Sequence, residues 1–512
     1  MSEHSTSLYA ARVPIFPRRV SGFYRNLKWW IMGLTLAVYY ITPWLRWDRG
    51  PNLPDQAVLV DLANRRFYFF WIEIWPHEFY FVAGLLVMAG LGLFLFTAAL
   101  GRVWCGYACP QTVWTDLFLM VERWVQGDRN ARMRLRNAPM SPRKATLLGT
   151  TWTIWLLIAL ATGGAWVFYF TDAPTLARDL VAFQAPGVAY MTIAILTATT
   201  FIFGGFMREQ ICIYMCPWPR IQGAMMDEGT LTVAYRDWRG EPRGKGLRRR
   251  EAASDLRVTG PQIGGRSPLI PMPGVRDTKI VGAAPAPASI AGPGDCIDCN
   301  ACVNVCPMGI DIRDGQQMAC ITCALCIDAC DQVMAKIGQP RGLIDYVALS
   351  DAPREAAGGA PIPAWRHAMR PRNFLYTGLW SLVGILLVVA LFVRPDIEMT
   401  VSPIRNPTYV ALSDGSVRNV YDVRLLNKHG EARQFLLSPS LGPDLTLQIE
   451  GQPGNTLTVP ADTQQLTRVY LTAPPGSEAA AEDRTELRLW VVDLEGGERA
   501  HVDTVFNGKG TQ

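Results

Sequence analysis

Histidine is scarce in this chain: five residues, scattered from His4 to His501, leave little from which to build a haem ligand pair or a histidine-based metal site. Neither a P-loop nor a G-x-G-x-x-G dinucleotide turn is visible, so a nucleotide-using electron donor would have to be a separate protein. An A-x-A-like cleavage site after the first apolar block is also missing, which argues against a removed signal peptide. Cysteine is absent from most of the chain, since all twelve lie between Cys105 and Cys330 in four tight clusters and none follows Cys330. Such usage serves ligands or redox chemistry rather than scattered core thiols.

What is present is apolar sequence gathered in blocks, the pattern of a membrane protein. A helix rising 1.5 Å per residue needs about 20 residues to cross a core of roughly 30 Å. Five blocks serve: Trp29–Trp44, then about 79–100, 147–170, 186–207 and 373–393. Trp29, Trp30, Tyr39, Tyr40 and Trp44 form aromatic belts at the two ends of the first. Arg66–Pro76 is aromatic but holds Glu73, and reads as lying in the interface. The head, with Arg12, Arg18, Arg19, Arg25 and Lys28, and the 101–146 loop, with eight Arg or Lys from Arg102 to Lys144, are basic, whereas the 171–185 loop has only Arg178. The positive-inside rule then puts the N-terminus and the cysteine-rich region in the cytoplasm and the C-terminus outside. From Asp396 onward there are 16 acidic against 10 basic residues, so a tail near −6 balances a remainder near +11, as expected for two sides of a bilayer.

Cys296 to Cys330 holds two copies of C-x2-C-x2-C-x3-C: Cys296, Cys299, Cys302 and Cys306, then Cys320, Cys323, Cys326 and Cys330. Such runs curl around a 4Fe-4S cubane so that three thiolates bind one cluster and the fourth cysteine reaches across to the other. The expected sets are Cys296, Cys299, Cys302 with Cys330, and Cys320, Cys323, Cys326 with Cys306. A zinc site does not need three thiolates within seven residues, and a disulfide framework suits a secreted domain rather than the reducing side of a membrane. Pro307 follows the first run; Asp331 stands at the equivalent place after the second.

The other four cysteines repeat a shorter pattern, Cys105-Gly-Tyr-Ala-Cys109-Pro110 and Cys212-Ile-Tyr-Met-Cys216-Pro217, at the cytoplasmic ends of the second and fourth spans. Cysteines at i and i+4 face one side of a helical turn, and the proline is expected to end or kink the helix. Packed together, the two ends would bring four thiols to one membrane-surface site. Soft sulfur selects Cu(I), zinc or iron–sulfur centres, and a dithiol can instead cycle with a disulfide; both roles stay open. Met207, Met215, Met225 and Met226 are further soft donors nearby, although methionine ordinarily fills cores.

Between Trp238 and Asp295 the sequence is rich in Gly, Pro and Arg, the composition of a flexible linker. Its Leu247-Arg248-Arg249-Arg250 run reads as a topology signal or a membrane-lipid contact rather than a nucleic-acid site. After the last span, runs such as Val420–Leu426, Leu445–Ile449, Thr467–Thr472 and Glu486–Val492 alternate apolar and polar residues between turn signals, arguing a small Ig-like β-sandwich without a disulfide.

The fold class expected is therefore a multi-pass α-helical membrane protein with a cytoplasmic two-cluster ferredoxin-like (α+β) domain and a C-terminal all-β Ig-like sandwich. The divisions run 1–28 basic head, 29–207 four spans with the C-x3-C-P motifs, 208–294 second motif and linker, 295–350 ferredoxin-type domain, 351–372 linker, 373–394 fifth span and 395–512 sandwich.

Trp104-Cys-Gly-Tyr-Ala-Cys-Pro110, Cys212-Ile-Tyr-Met-Cys-Pro-Trp-Pro-Arg-Ile-Gln-Gly223, Arg239-Gly-Glu-Pro-Arg-Gly244, Asp295-Cys-Ile-Asp-Cys299, Gly309-Ile-Asp-Ile-Arg-Asp-Gly315 and Cys326-Ile-Asp-Ala-Cys-Asp331 resemble the CcoG/FixG/RdxA cytochrome oxidase accessory proteins, nearly end to end. The family shows the aspartate after its second run; the linker around 247–292 looks longer than it needs. The resemblance implies a bacterial inner-membrane protein with two 4Fe-4S clusters, needed for maturation of cbb-type haem-copper oxidases, that reduces Cu(II) to Cu(I). Implied partners are oxidase subunits or copper-delivery proteins and a cytoplasmic electron donor, with Cys105, Cys109, Cys212 and Cys216 as the candidate copper or other thiolate site. Two other readings compete: an electron-transport subunit carrying electrons from quinol or a flavoprotein to a periplasmic reductase, and an oxidase-assembly scaffold whose clusters are structural or redox-sensing.

Overall fold

The computed structural model describes residues 14–50, 53–245, 294–395, 397–440 and 445–510. The Arg248–Arg250 run and most of the Gly/Pro-rich linker lie outside these. The described residues divide into two compact units, one running to Leu45 and resuming over Ala57–Ile385, the other formed by Arg46–Gln56 with the chain from Leu386 onward.

The first unit opens with α1 (Phe23–Ile41), followed by a three-stranded antiparallel sheet of β1 (Val58–Asp61), β2 (Arg66–Phe69) and β3 (Ile72–Ile74). That sheet takes up the aromatic segment expected to lie in the interface: Tyr68 and Ile74 are buried within it. Helices α2 (Tyr80–Leu100), α3 (Val103–Tyr107), α4 (Pro110–Gln126), α5 (Arg129–Asn137), α6 (Pro142–Val167), α7 (Ala173–Val181) and α8 (Gly187–Ile202) follow, α8 running on through a π-helical turn, Phe203–Met207. Four described helices are long and apolar enough to cross a membrane: Tyr80–Leu100, Pro142–Val167, Gly187–Met207 and Pro371–Val393.

The first expected span, Trp29–Trp44, differs from these. Its helix starts earlier, and its first two turns carry Arg25 and Lys28, whose charge lowers its apolar character. Both side chains are buried: Arg25 donates to Asp116 of α4 at 2.8 Å, and Lys28 stands 3.7 Å from the same carboxylate. Pairing on this scale is what lets ionised groups stay inside a protein. At the other end of α1, Tyr39 donates to the Thr162 carbonyl at 2.8 Å and accompanies Tyr169, beyond the end of α6. The helix thus reaches from α4 to the far end of α6.

Two helices and a pair of strands build the ferredoxin-like region. After α9 (Trp218–Met225), strand β4 (Leu231–Tyr235) pairs antiparallel with β5 (Ile344–Ala348), Val233 opposite Tyr346, and between them in sequence lie α10 (Ala301–Val305) and α11 (Leu325–Lys336). Strand β4 precedes the linker, in a segment read from sequence as motif and connector. The unit is therefore discontinuous in sequence and is closed by a strand from before position 295. The last helix of the unit, α12 (Pro371–Val393), packs beside α2: a Cβ on Gly92 would sit 3.3 Å from the Trp380 indole nitrogen.

The second unit is an antiparallel β-sandwich. One sheet has the order β10 (Thr446–Ile449), β12 (Thr463–Ala473), β8 (Val417–Asn427), β6 (Ile397–Pro403), with β7 (Val410–Ala411) also on β8; the other runs β11 (Thr456–Val459), β9 (Arg433–Pro439), β13 (Arg484–Asp493), β14 (Arg499–Asn507). Alternate residues point inward: Tyr421, Val423 and Leu425 of β8 and Leu487, Leu489 and Val491 of β13 enter one core. In place of a disulfide, Tyr421 donates across the core to the Val505 carbonyl at 2.8 Å, and buried Asn427 donates to three backbone carbonyls.

Candidate iron–sulfur and thiol sites

Both cysteine runs share one backbone device. Asp298 and Asn300 on either side of Cys299, and Thr322 and Ala324 on either side of Cys323, all have left-handed φ between 50° and 59°. These alternations fold each C-x2-C-x2-C loop back on itself, so its amides and thiols point inward, at a local steric cost for non-glycine residues. Side chains fix the shape. Arg313 donates to Asp298 at 2.7 Å and to Asn300 at 2.6 Å, and Tyr346 donates to the Thr322 carbonyl at 3.1 Å.

The fourth cysteine of each run leaves its own loop. Burial, then the charges of Cys302, Cys299, Asp331 and Cys296, push the Cys330 thiol up to about 12; burial and the charge of Cys323, with a smaller contribution from Cys320, do the same for Cys306. Cys330 packs into one apolar cluster with Cys296 and Cys302, and Cys306 lines a cavity with Cys320, Cys323 and Cys326. Cys302, Cys306, Cys320, Cys323 and Cys326 line one small apolar cavity with Met308, Ile310 and Ile312. A hollow lined by soft donors and aliphatic carbon suits an iron–sulfur cluster, whose sulfides need exclusion from water. Such a cluster would reverse the raised thiol pKa values, because a bound metal keeps its thiolates deprotonated. Cys299 is the exposed cysteine of the set, at the outer edge of the first loop.

The two C-x3-C-P motifs adopt a common turn. Cys105 lies in α3 and Cys212 in a π-helical turn, Ile211–Met215; each partner, Cys109 and Cys216, is extended, and its amide donates back five residues, to Trp104 at 2.9 Å and Ile211 at 2.8 Å. As expected, the helix ends ahead of each proline, α3 before Cys109-Pro110 and the π-helical turn before Cys216-Pro217, and the prolines then open α4 and cap α9. Proline in the first helical turn forfeits no bond, because its missing N–H would have been unsatisfied there. The residue before each proline is the second cysteine, which the pyrrolidine ring holds extended, and this frees its thiol from a regular i, i+4 face.

The motifs meet. Burial and the charges of Cys109, Cys212 and Cys216 act on Cys105 to raise it to about 12, while burial, Cys109 and Cys216 raise Cys212 to about 11; nearby Arg102 opposes both. Cys105 donates to the Gln222 amide oxygen at 3.0 Å, and the Gln222 Nε2 is buried without a hydrogen-bond partner. Among the described residues no three Cys, His, Asp or Glu side chains are drawn to the spacing of a single-ion site. Met225 is buried, whereas Met215 is exposed.

This thiol group abuts the second cysteine run. Cys105 and Cys212 pack into the apolar cluster around Ile321, Cys323 and Met308. A Cβ on Gly106 would stand 2.6 Å from the Ile321 carbonyl and 3.0 Å from the Cys323 Cα, so glycine allows the backbones to touch. Tyr107 donates to the Cys323 carbonyl at 3.2 Å, and Arg102 donates to the carbonyls of Met318 and, at 2.8 Å, Cys320. Gly106, Tyr107, Gln222 and Tyr346 were not singled out by chemistry in the sequence, and Arg102 was read only as a topology signal; Gly106, Tyr107 and Gln222 lie inside motif stretches, which was their one signal.

Apolar spanning helices joined to a doubled cysteine-run domain define a membrane iron–sulfur electron-transfer protein. Residues 207–260 and 277–349 match the family described as a 4Fe-4S dicluster domain, 81–130 match a 4Fe-4S binding domain, and 387–509 match the IG-like fold at the C-terminal of FixG. The chain belongs to the FixG/RdxA family of inner-membrane proteins: it is 64% identical to protein RdxB of Cereibacter sphaeroides over 99% of this chain and 98% of that protein. It is 57% identical to RdxA of the same organism (98% and 99%), and 51% identical to the nitrogen fixation protein FixG of Rhizobium meliloti (93% and 89%).

Proposed function

We propose that the chain carries electrons from two 4Fe-4S clusters to copper, reducing Cu(II) to Cu(I) for delivery to a cbb-type oxidase or its copper-delivery proteins. The observation that carries the reading is the direct packing of the Cys105/Cys109/Cys212/Cys216 group on the Ile321–Cys323 loop through Gly106. Cys296, Cys299, Cys302 and Cys330 would hold one cluster and Cys320, Cys323, Cys326 and Cys306 the other, supplying single-electron storage. Copper is the substrate. Thiols are soft ligands that hold Cu(I) more tightly than Cu(II), so binding there raises the potential of the couple and draws an electron onto the metal.

The proposed topology has five crossing helices, α1 included because its two ends meet opposite ends of the helical layer. The basic 101–146 segment puts the N-terminus and both sulfur sites in the cytoplasm, and the C-terminal sandwich then stands in the periplasm. Replacing Cys105 and Cys109 with serine should abolish cupric reduction while cluster absorbance persists. Undiminished reduction would reject the assignment.

A further inference from the structure

A second large hollow in the first unit takes no part in the sites above. About 710 Å³ in volume, it lies between α1, the end of α2, α3 and the stretch from Asp345 to His367. This falls within the size of sites that hold small organic ligands. Its two halves differ in chemistry. Leu27 and Ile31 of α1, with Phe96 and Leu100 of the spanning helix α2, make one wall apolar.

The other end holds His367 and Asp351, which are 6% and 7% exposed. The His367 Nε2 lies 2.7 Å from Asp351 Oδ2, a contact that is an ion pair only when the ring is protonated, and it makes no hydrogen bond of acceptable geometry. A buried imidazole nitrogen left so costs free energy unless a further group completes it. The remaining charges are already engaged: Arg236 pairs with Glu355 at 2.7 Å and with Asp345 at 3.3 Å. On the side facing the cysteine runs, the wall is Tyr107 and Tyr346, whose hydroxyls donate to the carbonyls of Cys323 and Thr322. One hydrogen bond and one residue separate this cavity from a cysteine of the second run.

We infer that this cavity binds a membrane-soluble hydroquinone, its apolar tail along α1 and α2 and its ring hydroxyl on His367, and that this is where electrons are taken in. The inference rests on the clusters proposed above as one-electron acceptors. A hydroquinone oxidised to quinone loses two electrons and two protons. The bound clusters would supply the one-electron acceptors, one electron each; the first proton would go to the His367–Asp351 pair, whose two groups lie 2.7 Å apart, and the second to water. A phospholipid would also fill the apolar wall but has no electrons to give through a cavity walled by Tyr107 and Tyr346 against the second cysteine run, which favours the hydroquinone.

The test uses the full-length, cluster-loaded protein without oxygen. Decylubiquinol should bleach the cluster absorbance and bring up the reduced-cluster EPR signal. His367→Gln, and separately Leu27→Trp, which fills the apolar wall from the α1 surface, should each slow that reduction at least tenfold while dithionite still reduces the clusters fully. An azido-quinone should label peptides from 96–108 or 361–367, displaced by decylubiquinol and not by phospholipid. Wild-type rates in both variants, no reduction by decylubiquinol, or labelling displaced by phospholipid alone would overturn the inference. Dithionite-reduced protein offered Cu(II) tests the copper reading independently, because that assay bypasses the cavity.

Discussion

Cys306 and Cys330 are the residues that decide how the eight-cysteine domain is wired. Each shares its apolar surroundings with the run it does not belong to in sequence, so single and paired substitutions have unequal outcomes. Cys306→Ser with Cys320→Ser should remove one cluster and leave about four iron per chain, whereas Cys306→Ser with Cys296→Ser should remove both. Iron analysis with EPR checks this; equal loss in the two pairs would contradict the crossed sets. The thiol group makes a pH prediction. Burial holds Cys105 and Cys212 protonated at neutral pH, up to about 12 and about 11, so a soft metal must displace those protons. Affinity for Cu(I) should therefore rise with pH, by up to about tenfold per pH unit for each proton displaced. Competition against a Cu(I) chelator between about pH 6.5 and 8.5 measures it, and a flat profile would contradict ligation by these thiols.

At the scale of elements, the cysteine spacing was legible in the sequence because ligand geometry dictates it residue by residue. The β-sandwich was legible too: alternation within Val420–Leu426, Thr467–Thr472 and Glu486–Val492 reappears inside β8, β12 and β13. The helix break at each C-x3-C-P motif was legible from its proline, which holds the preceding Cys109 or Cys216 extended; that a new helix starts at once was not. Strand β4 could not be assigned, since its partner β5 lies more than a hundred residues away across the linker. His367 carried no local signal; its meaning comes from Asp351 and the cavity. Two contacts hold these elements together. Gly106→Val should force α3 off the Ile321–Cys323 loop, costing about 1–3 kcal/mol in thermal unfolding and broadening the second cluster's EPR signal. Asp328 of α11 accepts the amides of Tyr24 and Arg25 at 3.3 and 2.7 Å and so caps α1 from another element. Asp328→Ala should cost about 1 kcal/mol, the usual loss for a helix cap. An unchanged midpoint in either variant would contradict the contact it tests.

Across the first unit, a cavity walled by α1 and α2 meets the cysteine-run domain at Tyr107 and Tyr346, and the thiol group touches that domain through Gly106, the contacts that the proposed electron relay requires. Five apolar blocks stand in the sequence, and four of the described helices meet the apolar requirement outright, because α1 spends its first turns on the Asp116 ion pairs. Reporter fusions at the N-terminus and beyond residue 510 should report opposite sides of the membrane; the same side for both would remove α1 as a crossing helix. Electrons are proposed to pass from the cysteine-run domain to copper through the four thiols. The most direct measurement is a single turnover: protein reduced with dithionite, freed of excess reductant and mixed without oxygen with Cu(II) and a Cu(I) chelator. The account predicts about two Cu(I) per chain as the clusters reoxidise, and clusters that stay reduced when Cys105, Cys109, Cys212 and Cys216 are all serine. Reoxidation of that variant by copper at the wild-type rate would contradict it.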